Sequence, residues 1–181
     1  IDDHGVEWTW SELIAPVLFA VGARWSETGQ GIEIEHALSS AVQESLTREI
    51  SRLEMPINSR SVLLASAPDE LHSLPLWALG ACLAERGIGA RILGARVPTE
   101  SLKQAAQRTG PAAVFIWSQM AATADYAALA AMPAEERNAI SQKWGSADYR
   151  LRVDYTLIWQ IVGISLLILL AFLYWNRKLA R

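Results

Sequence analysis

The sequence has little from which to build a disulfide framework or a metal cluster. Of its 181 residues one, Cys82, is cysteine, which excludes an intrachain disulfide and a cysteine-rich zinc site. Three histidines, His4, His36 and His72, are too few for a histidine-based cluster. Positive charge is scarce over most of the length. Residues 1–132 carry 9 Lys and Arg against 15 Asp and Glu, and residues 133–181 carry 7 against 4. A body of net −6 joined to a tail of net +3 is a poor nucleic-acid binder, because phosphates are held mostly by Lys and Arg. No direct contact with nucleic acid is expected. No paired carboxylates and no nucleophile with an obvious base stand out, so the chain reads as a non-enzyme. It opens on Ile1 rather than Met and carries no signal-peptide pattern, which reads as a fragment or a processed chain.

What is present is apolar surface. Hydrophobic residues make up 51%, charged residues 19%, and the mean hydropathy is +0.16. That is ample for a core and too apolar for a disordered tail. Part of the excess is local. The 22 residues from Tyr155 to Asn176 carry no charge. As a helix they would span roughly 33 Å, near the thickness of a bilayer's hydrocarbon core. Tyr155 and Trp159 near one end, and Tyr174 and Trp175 at the other, suit an aromatic belt. The expectation is a transmembrane helix over 153–176 with a basic flank at 177–181. This makes the protein single-pass and anchored in a bacterial inner membrane, with the body cytoplasmic if expressed without that helix.

The first 58 residues read as a helical hairpin. Leu13, Val17, Val21 and Trp25 recur at helical spacing, as do Ile34, Leu38, Val42 and Leu46. Gly29 and Gly31 punctuate between them, and Pro16 is placed to kink the first helix. From Ser61 the rhythm changes. Short β-rich runs at 61–67, 89–95 and 112–118 alternate with helical stretches at 72–87 and from Glu100 to Arg108, the latter with Thr99 as candidate cap. The third run is continuously apolar and is expected to be buried on both faces. Alternation of this kind implies an α/β fold with a parallel sheet, here a truncated Rossmann-like sheet of about three strands behind a partial helical cap. Ligands of such sheets sit outside the carboxyl ends of the strands. Those ends are 67–72, 95–98 and 117–120. Two further helical patterns, 121–132 and 133–144, follow the third run.

His72 falls in the loop after the first strand, beside Asp69 and Glu70. An imidazole there can bind a metal through one nitrogen while the other bonds a carboxylate. With no partner ligands, the metal must be brought by a cofactor. Glu70-Leu71-His72-Ser73-Leu74-Pro75 resembles the E/D-x-H-x-x-G signature of cobalamin-binding domains, with Pro75 in place of the glycine. Upstream, Trp25 followed by nine residues and Glu35-His36 resembles the cap of cobalamin-binding regulators related to the MerR transcription factors, the group that contains the light-sensing CarH-type repressors. The likeness covers about residues 8–132, divided as a cap over 1–58 and a sheet domain over 59–132. It implies adenosylcobalamin or methylcobalamin as cofactor and partner, and a homo-oligomer as the assembly. His72 would be the lower ligand of cobalt, with Glu70 or Asp69 as its hydrogen-bond partner. Ser118 would lie near the nucleotide tail. Trp25, Glu35 and His36 would face the upper axial ligand.

Residues 133–181 resemble something else. PAEERNAISQKW and the apolar run behind it look like the juxtamembrane linker (133–152) and membrane helix of bacterial hybrid sensor kinases with periplasmic solute-binding domains. A junction near Met132-Pro133 fits the change in texture and charge. The leading expectation is a sensory module that binds cobalamin and signals to transcription. The alternative is a membrane-anchored input segment of a two-component kinase without a cofactor. Cys82, His4, Trp8, Trp10, Trp77 and Trp144 are expected to serve packing or to be inert.

Overall fold

The structure, a computed structural model, describes residues 1–119. A first helical stretch begins as α1 (Gly5–Trp8), widens into a π-helical turn at Thr9–Ile14 and continues as α2 (Ala15–Thr28). Pro16 lies in the first turn of α2. Its ring clashes with an ordinary preceding turn and it offers no N–H, so a widened turn just before it is a physical way to carry the helix on. Gly29 closes α2 with φ 67°, and Gly31 opens α3 (Ile32–Ser51) with φ 93°. These left-handed angles favour glycine and turn the chain back in three residues. The expected hairpin is present. On α3 the stripe picked out by spacing packs inward, with Val42 and Leu46 buried and Leu38 beside them, although Ile34 is exposed. On the first helix the buried face differs: Leu13, Val17 and Trp25 are exposed, whereas Val6, Trp10 and Ala15 are buried and Ile14, Leu18 and Phe19 pack beside them. The segment carries two adjacent apolar rows, one through Leu13 and Val17 and one through Ile14 and Leu18, and spacing alone does not choose between them.

Three strands follow: β1 (Val62–Ser66), β2 (Ala90–Gly94) and β3 (Ala113–Trp117), all parallel, in the order β2-β1-β3. They are joined through α4 (Leu74–Glu85) and α5 (Thr99–Thr109). Side chains alternate across the pleat. Val62 and Leu64 of β1, with Ile92, Phe115 and Trp117, meet α3 and α4 on one face. Leu63 and Ala65, with Val114 and Ile116, meet Leu102 and Ala106 of α5 on the other. Gly80 allows the close seat of α4, since a Cβ there would stand 2.9 Å from Ile92 Cδ1 and 3.2 Å from Ile50 Cδ1. The α/β architecture read from the alternation is therefore present, with a parallel three-stranded sheet among the described residues.

Two local expectations are corrected. Thr99 is the first residue of α5 rather than its cap; Pro98 holds the cap position and no side chain caps it. Pro98 has no N–H to satisfy and already sits at an extended φ of −58° and ψ of 142°, so the chain enters the helix without a hydroxyl cap. The third strand is not buried throughout: Ala113 to Ile116 are half-buried and only Trp117 is buried. It pairs with β1 on one side, and among the described residues no strand pairs on the other.

No helix among the described residues is long and apolar enough to cross a membrane. Tyr155–Asn176, the helical patterns 121–132 and 133–144, the linker over 133–152 and Trp144 lie outside the described residues. Trp10 is buried and Trp77 packs on the core, but Trp8 is 48% exposed and has His4 at 4.4 Å between ring centroids.

Cys82 is fully buried in α4. Burial pushes its thiol up to about 12, so no useful fraction of thiolate, the reactive form, exists near neutrality. A disulfide reagent at pH 8 is expected to leave the native protein unlabelled and to label one thiol rapidly once denaturant unfolds it. Rapid labelling of native protein would show that α4 opens locally.

Candidate functional site

The strand order places a topological switch between β1 and β3. From β1 the chain crosses by α4 to β2 on one side, then returns by α5 over the opposite face to β3 on the other. Loops leaving adjacent strands in opposite directions open a crevice at their carboxyl ends, the usual ligand position in such sheets.

Glu70 organises that end. Its residue is 1% exposed, yet each carboxylate oxygen has a partner. Oε1 accepts the backbone N–H of His72 at 2.9 Å and lies 2.5 Å from His72 Nδ1. Oε2 accepts the backbone N–H of Gln119 at 2.7 Å. The Glu70 carbonyl accepts the N–H of Arg96 at 2.9 Å, and its own N–H donates to the Ala67 carbonyl. One residue thus ties together the loops after all three strands. A buried carboxylate is tolerated where such donors replace its lost hydration. Ser66, itself buried, adds a long hydroxyl bond of 3.4 Å to the His72 carbonyl, and the Ala67 N–H donates to the Trp117 carbonyl at 2.8 Å.

His72 comes out of this arrangement oriented. Its side chain is 51% exposed. With Nδ1–H donated to Glu70, the other ring nitrogen, Nε2, is left with its lone pair as an acceptor. A carboxylate on one nitrogen fixes the orientation of the ring, as found behind metal-bound imidazoles. Of the two acidic candidates beside it, Glu70 makes this bond. Asp69 is 80% exposed and approaches Arg96 instead, at 3.9 Å.

The remaining site candidates fall into two groups. Ser118 lies half-buried at the end of β3, between Trp117 and the Gln119 N–H that reaches Glu70. Trp25, Glu35 and His36 are on the hairpin. Trp25 is 45% exposed near the end of α2, where its carbonyl accepts the Gly29 N–H. Glu35 pairs with His36 at 2.9 Å and accepts the Ser39 hydroxyl at 2.7 Å. These bonds stay within α3, so the cap residues are not bonded to the Glu70–His72 cluster through them. Pro75, where the resemblance expects glycine, sits in the first turn of α4, whose free N–H positions make proline harmless.

The structure adds groups that sequence reasoning passed over. The backbone N–H groups of Arg96 and Gln119 leave no trace in residue type. Ser66 does: it is a hydroxyl closing an otherwise apolar strand. Trp117 is 5% exposed and its Nε1 has no hydrogen-bond partner among the described residues. No group of three or more His, Cys, Asp or Glu able to hold a metal ion occurs among the described residues.

No family model matches the chain. The chain is 36% identical over 96 residues to the HTH-type transcriptional repressor CarH of Myxococcus xanthus, an overlap of 52% of this chain and 31% of that protein. The chain therefore spans about a third of the relative's length. This likeness supports the CarH-type resemblance, and the relative it names is a transcriptional repressor. The sensor-kinase likeness of residues 133–181 gains no support. The expected location, a single-pass anchor in a bacterial inner membrane, is corrected. The relative is a transcriptional repressor, and no described helix is fit to span a bilayer.

Proposed function

We propose that this chain is a cobalamin-binding sensory module of a B12-dependent transcriptional regulator. The observation that carries the reading is the Glu70–His72 pair at the switch point: a half-exposed imidazole, anchored through Nδ1 to a buried carboxylate, with Nε2 not used in that bond. That donor set fits a cobalt ion brought by a macrocycle, because one protein nitrogen is enough when the cofactor supplies the other ligands. His72 would hold cobalt from below, and Glu70 would keep the ring in the required tautomer. Ser118 would lie along the nucleotide tail. Trp25, Glu35 and His36 would meet the upper ligand, the indole by apolar contact and the other two by hydrogen bonds. When bound, the cofactor would supply a cobalt centre and, in its alkyl forms, a light-sensitive Co–C bond. Adenosylcobalamin and methylcobalamin both suit this reading. The similarity to CarH supports the regulatory role.

The test is spectroscopic. Adenosylcobalamin added in the dark is expected to take on the visible spectrum of a histidine-ligated cobalt. His72→Ala should abolish that spectrum and weaken binding at least about tenfold, as loss of one metal ligand or its support commonly does. A spectrum that stays that of free cofactor, or a bound spectrum unchanged by His72→Ala, overturns the reading.

A further inference from the structure

The opposite end of the sheet holds a second concavity, remote in the fold from the Glu70–His72 crevice. It has a volume of about 170 Å³ and is lined by Ser59, Arg60, Ser61, Arg91, Thr109 and Gly110, among others. These come from the segment before β1, from the start of β2 and from the turn between α5 and β3. Two arginines and two serines are among the residues that line this small space, and no carboxylate-bearing residue lines it.

Four of the eight arginines among the described residues, Arg24, Arg60, Arg91 and Arg108, form no ion pair, and two of those four line this cleft. Arg48, Arg52, Arg86 and Arg96 each approach a carboxylate. Arg60 and Arg91 form no ion pair among the described residues, although the body of the chain is acidic. One bland explanation is that they neutralise the carboxyl end of α5, which closes at Gly110. That end is worth only about half a negative charge, so two guanidiniums leave the cleft net positive.

The cleft is also braced. The Asn58 carboxamide donates to the Arg60 carbonyl at 2.8 Å and to the Gly89 carbonyl at 2.9 Å, and accepts the Gly89 N–H at 2.6 Å. The Val62 N–H donates to Gly89 and the Ala112 N–H to Ser61. The backbones that carry Arg60 and Arg91 are therefore fixed to each other before any ligand arrives. Leu63, between them, is buried in the sheet, so the floor is rigid.

We propose that this cleft is a binding site for a phosphoryl dianion. Paired guanidiniums provide planar forks of N–H donors that match phosphate oxygens, and the Ser59 and Ser61 hydroxyls can donate to the oxygens that remain; the Thr109 hydroxyl is already committed to the Ala105 carbonyl at 2.8 Å. The volume is enough for a phosphate or the head of a phosphate monoester. The inference does not depend on the cobalamin reading, because the residues and the end of the sheet are different.

The test is a titration of isotope-labelled protein with inorganic phosphate, followed by backbone amide resonances. Sodium chloride at matched ionic strength is the control, and glycerol phosphate forms a second arm. Saturable shifts at Ser59, Ser61, Arg91 and Gly110 are expected with phosphate and not with chloride. Arg60→Gln and Arg91→Gln should each weaken the response about tenfold, the loss expected for one charge-assisted contact. Saturation by glycerol phosphate at lower concentration than by phosphate would make a monoester the ligand; saturation by phosphate at the lower concentration would make it the free ion. Shifts equal to those in chloride, or a titration that the double variant leaves unchanged while its amide spectrum stays folded, would overturn the site.

Discussion

Glu70→Ala is expected to lower the unfolding free energy by about 2–4 kcal/mol and, in the fraction that still folds, to weaken adenosylcobalamin binding more than tenfold. Among the donors that converge on the carboxylate are the N–H groups of His72 and Gln119, and His72 Nδ1. Hydrogen bonds to a charged acceptor contribute about 1.5–3 kcal/mol each, and a buried donor left unpaired costs about 1–3 kcal/mol. The gain is offset in part by the cost of burying the charge, which is why the expected loss is below the simple total. Glu70→Gln separates the two effects. It keeps the volume, but its single carbonyl can satisfy donors on one side only, and its NH2 group would face a backbone N–H on the other. Its stability loss should be the smaller, about 1–2 kcal/mol, while the histidine-ligated spectrum should still be impaired because His72 loses its charged anchor. Urea denaturation and the dark-state spectrum check the pair. Equal stability of Glu70→Ala and the parent protein would mean that the loops after the three strands are not held by this carboxylate.

The elements of the sheet were legible because their signals are local. A five-residue run such as Val62–Ser66 between a serine-rich turn and Pro68 can be read without knowing its neighbours, and the structure places each strand within a residue of the expected ends. The helical hairpin was legible as helix, and on α3 by face through Leu38, Val42 and Leu46, but on α2 two adjacent apolar rows compete and the one through Ile14 and Leu18 packs inward rather than the one through Leu13 and Val17. His72 stood out by its type and its place after a strand. The depth of Glu70 did not, because it depends on Arg96 and Gln119, which come from other loops and contribute only main-chain groups. Arg60 and Arg91 likewise have no shared motif; they meet because parallel pairing sets Val62 beside Ala90 and Leu63 beside Arg91. The long uncharged run, Tyr155–Asn176, lies outside the described residues; it is the location inferred from it that the likeness to a transcriptional repressor corrects.

Leu64→Ala is expected to cost the most stability of any single truncation in the sheet, about 3–5 kcal/mol. Leu64 is fully buried in β1, between Ile92 of β2 and Phe115 of β3 in register. It points to the larger apolar cluster, with Leu46 of α3 and Leu76 and Leu79 of α4. Because strands on both sides and helices above already fix its surroundings, little can collapse into the space left behind, and the penalty for such a cavity is near the upper range. A domain of this kind is stable by only about 5–15 kcal/mol, so the variant should be close to unfolding at 37 °C. Leu13→Ala is the matched control: Leu13 is 55% exposed, and its truncation should change stability by no more than about 0.5 kcal/mol. Urea titrations with an unchanged slope would give both numbers. The variant also separates fold from site. Leu64 bears on neither oxygen of Glu70 nor on the His72 ring, so the molecules of Leu64→Ala that remain folded at low temperature should bind adenosylcobalamin with the parent spectrum, whereas those of Glu70→Ala should not. A Leu64→Ala loss under about 1 kcal/mol would remove β1 from the centre of the core, and with it the switch point on which the position of His72 depends.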